Sequence, residues 1–526
     1  MPKDKKDLKE KQRERQLKQQ RSEEARQKRR EIKTKSSRKL PKKKIFLTIS
    51  LLVIIVGVIL VWQLSIKHFS IIYLRSDGTI DPATATITNL ENTTYTFTTD
   101  IFGSIIIERD NIVIDGANHI LHGELDTNST GIELTERSNV TITNLKIKDF
   151  KYGVFVQSGT NIVLSKNDLT NEYGIGFDSC FNNTVIENNI TNCSGAILLA
   201  QSSNNNMIKN KLDNNYYGFN LDYGSSTNII SENILTNNGG AIILARTSNN
   251  NTFSENRLEK NEQGITLEQS LYNVMAGNTI MDCEGAIGLS YSSYNQINEN
   301  SIIDNQNNII MTLSSGSNNI YGNNIRNGDA AITLSYLSNN NSVHENVIES
   351  NTEGIRLANS SNNVIFGNII MDCEGAIGFT SSSNNQITEN NITDNQYSIS
   401  ITSNSESNSI SENDIKNSEL AIGFDYSSNN QITENNIIDN EFGVYLNVSS
   451  DNSFFHNSFL NNTYQVFSFD ALNSWDNENL SGGNFWSDYE EKYPDAEKVE
   501  QSKTWNIPYI IDDNNKDRYP LVSRET

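Results

Sequence analysis

Cysteine is scarce in this chain, with four residues in 526. Cys193, Cys283 and Cys373 recur at 90-residue intervals, so they mark one repeated position and not a disulfide framework. Cys180 and Cys193 stand at the ends of neighbouring strands and are read as free thiols. Histidine is scarcer relative to need: of five, only His119 and His122 are close in sequence. That excludes the clustered His, Cys or Met ligands of a sequence-evident copper or zinc site. Basic residues are thin outside the N-terminus. Residues 1–44 hold 20 Lys/Arg against 7 Asp/Glu, a net +13; taken from a total of −22, that leaves −35 on the remainder. A surface so acidic repels nucleic acid and stays soluble by self-repulsion. No stretch beyond the N-terminus carries the 3.6-residue spacing of an amphipathic helix, and no catalytic motif stands out.

What is present is a returning asparagine. It runs through Asn144, Asn167, Asn188, Asn210, Asn233, Asn256, Asn278, Asn300, Asn323, Asn346, Asn368, Asn390, Asn413, Asn435 and Asn457, at gaps of 21 to 23 residues. A period in this range is the signature of a solenoid. Within a coil such as 375–395, Ile377 and Phe379 alternate with small or polar residues, which is strand spacing. Asparagine tolerates a left-handed corner, and its stacked amides can bond from coil to coil. One residue type is thus expected to serve both corner and stack. The first inward position repeats from Ile132 and Val154 to Val444 and Val466, sixteen rungs spanning roughly 70 Å at the parallel-strand spacing. Ile197, Ile242, Ile287, Ile332, Ile377 and Ile422, each after an alanine, add a 45-residue double period. The fold class is all-β, a right-handed single-stranded parallel β-helix of 22–23 residues per coil, preceded by a single transmembrane helix.

The chain divides accordingly. Residues 1–44 read as a basic cytoplasmic tail. Residues 45–66 hold no charge, are long enough to span a bilayer and follow Lys42–Lys44, so positive-inside places the tail in the cytoplasm and the rest outside. We read 45–66 as an uncleaved signal anchor. Residues 67–130 form an N-terminal cap and first coils, 131–466 the regular helix, and 467–526 a C-terminal cap holding Trp475, Trp486 and Trp505. Localisation is therefore the cell membrane with the β-helix extracellular. Thirteen N-x-Ser/Thr sequons, among them Asn92, Asn128, Asn250, Asn340, Asn391 and Asn479, admit glycosylation there.

Four motifs carry a likeness to a known family. YLRSDGTIDP (73–82) with NIVIDGANHILHG (111–123), and GGNFWSDY (482–489) with NIPYIIDDNNKDRYPL (506–521), bracket the Asn-rich coils. The chain resembles the NosD-like right-handed parallel β-helix repeat proteins, within the wider pectate-lyase-like class, over about 70–526; its ends resemble archaeal surface proteins of that group. The resemblance implies a copper-related role for some members. Some relatives carry a calcium-loop-like segment where this chain reads EEKYPDAEKVEQSKTW, so no calcium site is carried over.

The residues offer three candidate sites. Asp178, Asp222, Glu268 and Asp425 end first-strand segments; Asp178 and Asp222 stand two coils apart, roughly 10 Å, with Ala200 between them and no basic residue evident beside them. They are the candidates for a lyase or hydrolase. Tyr223, Tyr291, Tyr336 and Tyr426 share one coil position just past the strand and suit sugar rings. Glu389, Glu412 and Glu434 precede the ladder in adjacent coils, where stacked like charges repel unless screened or bridged by a weakly held divalent cation. No other cofactor is expected. The reading is a membrane-anchored, non-enzymatic glycan- or envelope-binding scaffold, with a surface polysaccharide or protein as ligand. A carbohydrate-active enzyme and a NosD-like copper accessory protein are the alternatives.

Overall fold

The computed structural model describes residues 23–24, 26–28, 69–124, 129–477, 482–500 and 502–524. The uncharged stretch 45–66 lies outside them, as does nearly all of the basic tail and the sequons at Asn128 and Asn479. Among the described residues no helix is long and apolar enough to cross a membrane.

Residues from Phe69 onward form one right-handed parallel β-helix of about 17 turns. Each coil lays one strand on each of three sheets. In one coil these are Gly375–Thr380, Gln386–Thr388 and Asn391–Thr393, on the first, second and third sheets. Alternation explains the core: Ile377 and Phe379 point inward, as do Ile387 and Ile392, and all four are buried. The rungs keep register, with Ile332, Ile355, Ile377, Ile399 and Ile422 directly stacked. Parallel stacking begins at Ser70–Leu74 against Ile101–Ile107, and Ile80–Asp81 pairs antiparallel beside it.

The asparagine ladder is real, but it divides its two expected roles between neighbours. The left-handed corner belongs to the residue before each ladder Asn: Glu389 has φ 57° while Asn390 lies buried beneath it. Asn390 donates from both its backbone N and its Nδ2 to Oδ1 of Asn413, at 3.0 and 2.9 Å, and also to the Ile365 carbonyl. Asn144 does not belong to this ladder. It takes the left-handed corner (φ 52°), and the buried Leu145 fills the ladder slot, its backbone N donating to Oδ1 of Asn167.

Two further asparagine ladders line the other corners. One runs through Asn385, Asn408 and Asn430, beside a serine ladder through Ser292 and Ser315. The other runs through Asn215, Asn238 and Asn261. The cysteines substitute into these rows. Cys193, Cys283 and Cys373 take Asn slots of the latter, each donating its backbone N to the next Asn, and Cys180 heads the serine row. All four thiols are free and buried.

At the C-terminal end aromatic residues close the bore. Trp475 stacks on Phe454 at 4.3 Å, Trp486 on Phe459 at 4.3 Å, and Tyr509 on Trp486 at 4.1 Å. Phe485–Trp486 adds a last parallel rung to Ser458–Leu460. Asp517 is buried in this plug and accepts from the Asn484 and Tyr519 backbone N–H groups and from Trp486 Nε1. Gly483 leaves the room it needs, since a Cβ there would meet the carboxylate.

Candidate functional site

The outer face of the first sheet presents Phe155, Gly176, Leu198 and Asn220 in one row on successive coils. Gly176 makes a notch. A Cβ there would come within 3.0 Å of the Phe155 ring and 3.2 Å of Tyr152. The resulting cavity is about 300 Å³, bounded by Tyr152, Phe155 and Leu198, with Asp178, Asp222 and Tyr223 along one rim. At the other rim Tyr152 stacks on Tyr173, with centroids 5.0 Å apart. Burial pushes the Tyr152 hydroxyl above its ordinary value, and Tyr173 and Glu172 add to the effect.

Register brings two expected residues to this rim. Asp178 and Asp222 flank Ala200 on successive rungs, two strand spacings or roughly 10 Å apart. The sequence shows no basic partner for them; the structure supplies one. Arg246, in the next coil, reaches Asp222 at 3.2 Å and lies 4.4 Å from the centroid of the Tyr223 ring. Asp222 also accepts from the Tyr223 backbone N–H at 2.8 Å, and Asp178 from the Ser179 hydroxyl at 3.1 Å. Both carboxylates are thus held as hydrogen-bond acceptors. An apolar floor, ring faces and a carboxylate–guanidinium pair can hold a sugar by stacking and by hydrogen bonds to its hydroxyls.

The other expected residues stand apart. Glu268 sits opposite Ser290, and Asp425 lies far along the array between Thr402 and Asn447, whose Nδ2 donates to it at 2.6 Å. Tyr291, Tyr336 and Tyr426 occupy the same left-handed corner as Tyr223 and are exposed. Glu389, Glu412 and Glu434 occupy three successive left-handed corners, also exposed. Nearer the N-terminus lysines break that row, pairing Lys166 with Glu187 and Lys209 with Glu232. Sequence reasoning missed Tyr152, Phe155 and Tyr173, although the 21-residue spacing of Tyr152 and Tyr173 marks them as one coil position.

Two sequence families match this winding. One, described as right handed beta helix region, matches 89–233, 130–270 and 222–348. The other, described as periplasmic copper-binding protein (NosD), matches 309–432 and 338–491. The chain is a right-handed parallel β-helix repeat protein, similar to NosD over 309–491. Among curated proteins no sequence matches it. Solved structures of the same winding include a mutant periplasmic alginate epimerase, at 16% identity over 59% of this chain and 78% of that one, with a TM-score of 0.41. An alginate lyase in complex with G6 matches at 15% identity over 65% and 79%, TM-score 0.35. An exopolygalacturonase from Thermotoga maritima matches at 12% over 53% and 83%, TM-score 0.28. At that distance the likeness says nothing about chemistry.

The copper in the NosD description finds no matching ligand set among the described residues. Among the described residues no three His, Cys, Asp or Glu side chains converge on one point. Burial pushes the Cys193 and Cys373 thiols up to about 11, away from the thiolate a metal takes. His119 faces Asp100 at 3.5 Å and His122 faces Asp149 at 3.8 Å, so the two rings engage different carboxylates.

Proposed function

We propose that this β-helix is a non-enzymatic saccharide-binding scaffold, displayed outside the cell by a membrane anchor at 45–66. One observation carries the reading: the notch at Gly176 opens an apolar cavity whose rim bears Asp178 and Asp222, with Arg246 clamped between Asp222 and Tyr223. Saccharide sites combine such ring faces with a few fixed polar groups. The acidic charge of the chain and the uncharged run after Lys42–Lys44 support an extracellular position.

A second reading, a lyase or hydrolase, draws on the same two carboxylates and the arginine. Their separation of roughly 10 Å stands at the upper edge of what an inverting pair needs. Both already accept hydrogen bonds from neighbouring donors, which fixes them as acceptors for a ligand's hydroxyls.

The test incubates the purified full chain with a panel of acidic and neutral polysaccharides, scoring retention and fragment release together. Retention without release, weakened by Asp222→Asn and Arg246→Ala, is the expected result. Fragment release abolished by Asp178→Asn or Asp222→Asn would make the protein an enzyme. Neither retention nor release on any polymer would remove the saccharide reading.

A further inference from the structure

The corner joining the first and second sheets is polar along most of the array. Its left-handed positions hold residues such as Asn359 and Asn362 in one coil, and Ser381 and Asn384 in the next. Four successive coils depart from this. Tyr272, Tyr291, Tyr294, Leu313, Tyr336 and Leu337 all adopt φ between 49° and 66°. Every one is exposed, from 39% at Leu313 to 64% at Tyr336.

Two costs coincide here. A bulky side chain is disfavoured in the left-handed region, where Asn is accepted. A large apolar side chain in water forgoes the gain of burial. The ring contact made within the patch is Tyr272 on Tyr294, with centroids 5.1 Å apart and planes at 15°. Meanwhile the backbone under the patch is fixed. Tyr272 donates its N–H to Ser293, Tyr291 to Leu313, Ser314 to Tyr336 and Leu337 to Asn359, each in the next coil. The side chains therefore project from a rigid rail. Contiguous apolar exposure of this kind marks an interaction surface, and a pre-ordered one loses little entropy on binding.

We propose that this rail is a second saccharide site, which takes a neutral glycan chain lying along the helix axis. Tyrosine rings with exposed hydroxyl tips match sugar faces and their hydroxyls. Their recurrence at coil spacing suits a polymer with repeating units. The −35 charge of residues 45–526 opposes polyanions, including anionic lipid surfaces. The proposal shares the saccharide reading of the protein but uses none of the residues of the groove, so either surface can fail without the other.

The experiment compares the full chain with two variants on immobilised neutral β-glucan and xylan, on polygalacturonate, and on phosphatidylcholine vesicles. Tyr291→Asn with Tyr336→Asn is expected to lower retention on a neutral polymer at least tenfold. Its melting temperature should hold or rise, because Asn already occupies these corners elsewhere. Tyr294→Ser repeats the test at the second left-handed position of the Tyr291 corner. Any retention on polygalacturonate should be the same in both variants as in the wild type, because neither alters a residue of the groove. Wild-type-like retention by the tyrosine variant, no neutral binding by the wild type, or a loss seen only on vesicles would each overturn the proposal.

Discussion

Arg246 stands one coil beyond Tyr223, its guanidinium 4.4 Å from the centre of the ring, while it reaches back to Asp222. The pair is half exposed, so it adds only about 0–1 kcal/mol to the fold. Arg246→Ala should therefore leave the urea midpoint nearly unchanged while weakening retention on the polysaccharide that the groove binds. Arg246→Lys should recover little of it, since an ammonium cannot stack flat on the ring and pair with a carboxylate together. Equilibrium unfolding and affinity retention on the same samples separate the two effects.

Asn300 is a stringent test of the ladder. Its Oδ1 accepts from the backbone N and Nδ2 of Asn278, and its Nδ2 donates to Asn323 Oδ1 and the Met275 carbonyl. Asn300→Ala leaves buried donors and an acceptor unpaired, at a cost of about 2–4 kcal/mol. Because each coil touches only its neighbours, the unfolding transition should broaden as well as shift. A sharp transition with an unchanged midpoint would show that the ladder contributes nothing measurable.

Glu389, Glu412 and Glu434 put three like charges on successive corners. Glu412→Gln should raise stability by about 0.2–1 kcal/mol at low ionic strength. Half-molar sodium chloride should erase the difference, because exposed charges a few ångströms apart are screened at that concentration. Thermal melts at two salt concentrations read this directly.

The C-terminal plug should respond to pH. Burial pushes Asp517 up to about 7, against three N–H donors that pull the other way, with Asp476 adding to the rise. A carboxyl whose folded value lies above its unfolded one binds more protons when folded, so ionisation works against the plug. The plug should be most stable near pH 4 and lose stability as pH rises toward 7, with no further loss from this group above it. Trp475 and Trp486 fluorescence during denaturation reports the plug, and Asp517→Asn should flatten its pH dependence. A midpoint independent of pH between 4 and 8 would contradict the assignment.

The four thiols should be silent in the native protein. Burial raises Cys180, Cys193 and Cys373 to about 11 and shifts Cys283 the same way. Iodoacetamide at pH 8 should leave the folded chain unlabelled and add four groups in denaturant. Oxidising and reducing buffers should give the same melting temperature.

The sequence by itself determined the winding. Ile377, Ile399 and Ile422 recur with Asn390, Asn413 and Asn435 because each coil repeats one solution to burying an apolar stripe, and a repeat is visible without any contact being known. It did not determine which residue of a pair takes a corner. At Asn144 the asparagine stands one position earlier than in the later coils, and only the backbone conformation shows that Asn144 turns while Leu145 points in. Nor could it place Arg246 on Asp222. The coil length drifts between 21 and 23 residues, so which side chains meet across coils depends on the hydrogen-bonded register, a property of the stacked sheets. The notch at Gly176 and the tyrosine rail at Tyr291 and Tyr336 arise at that same level, from neighbours about 22 residues apart brought one strand spacing from each other.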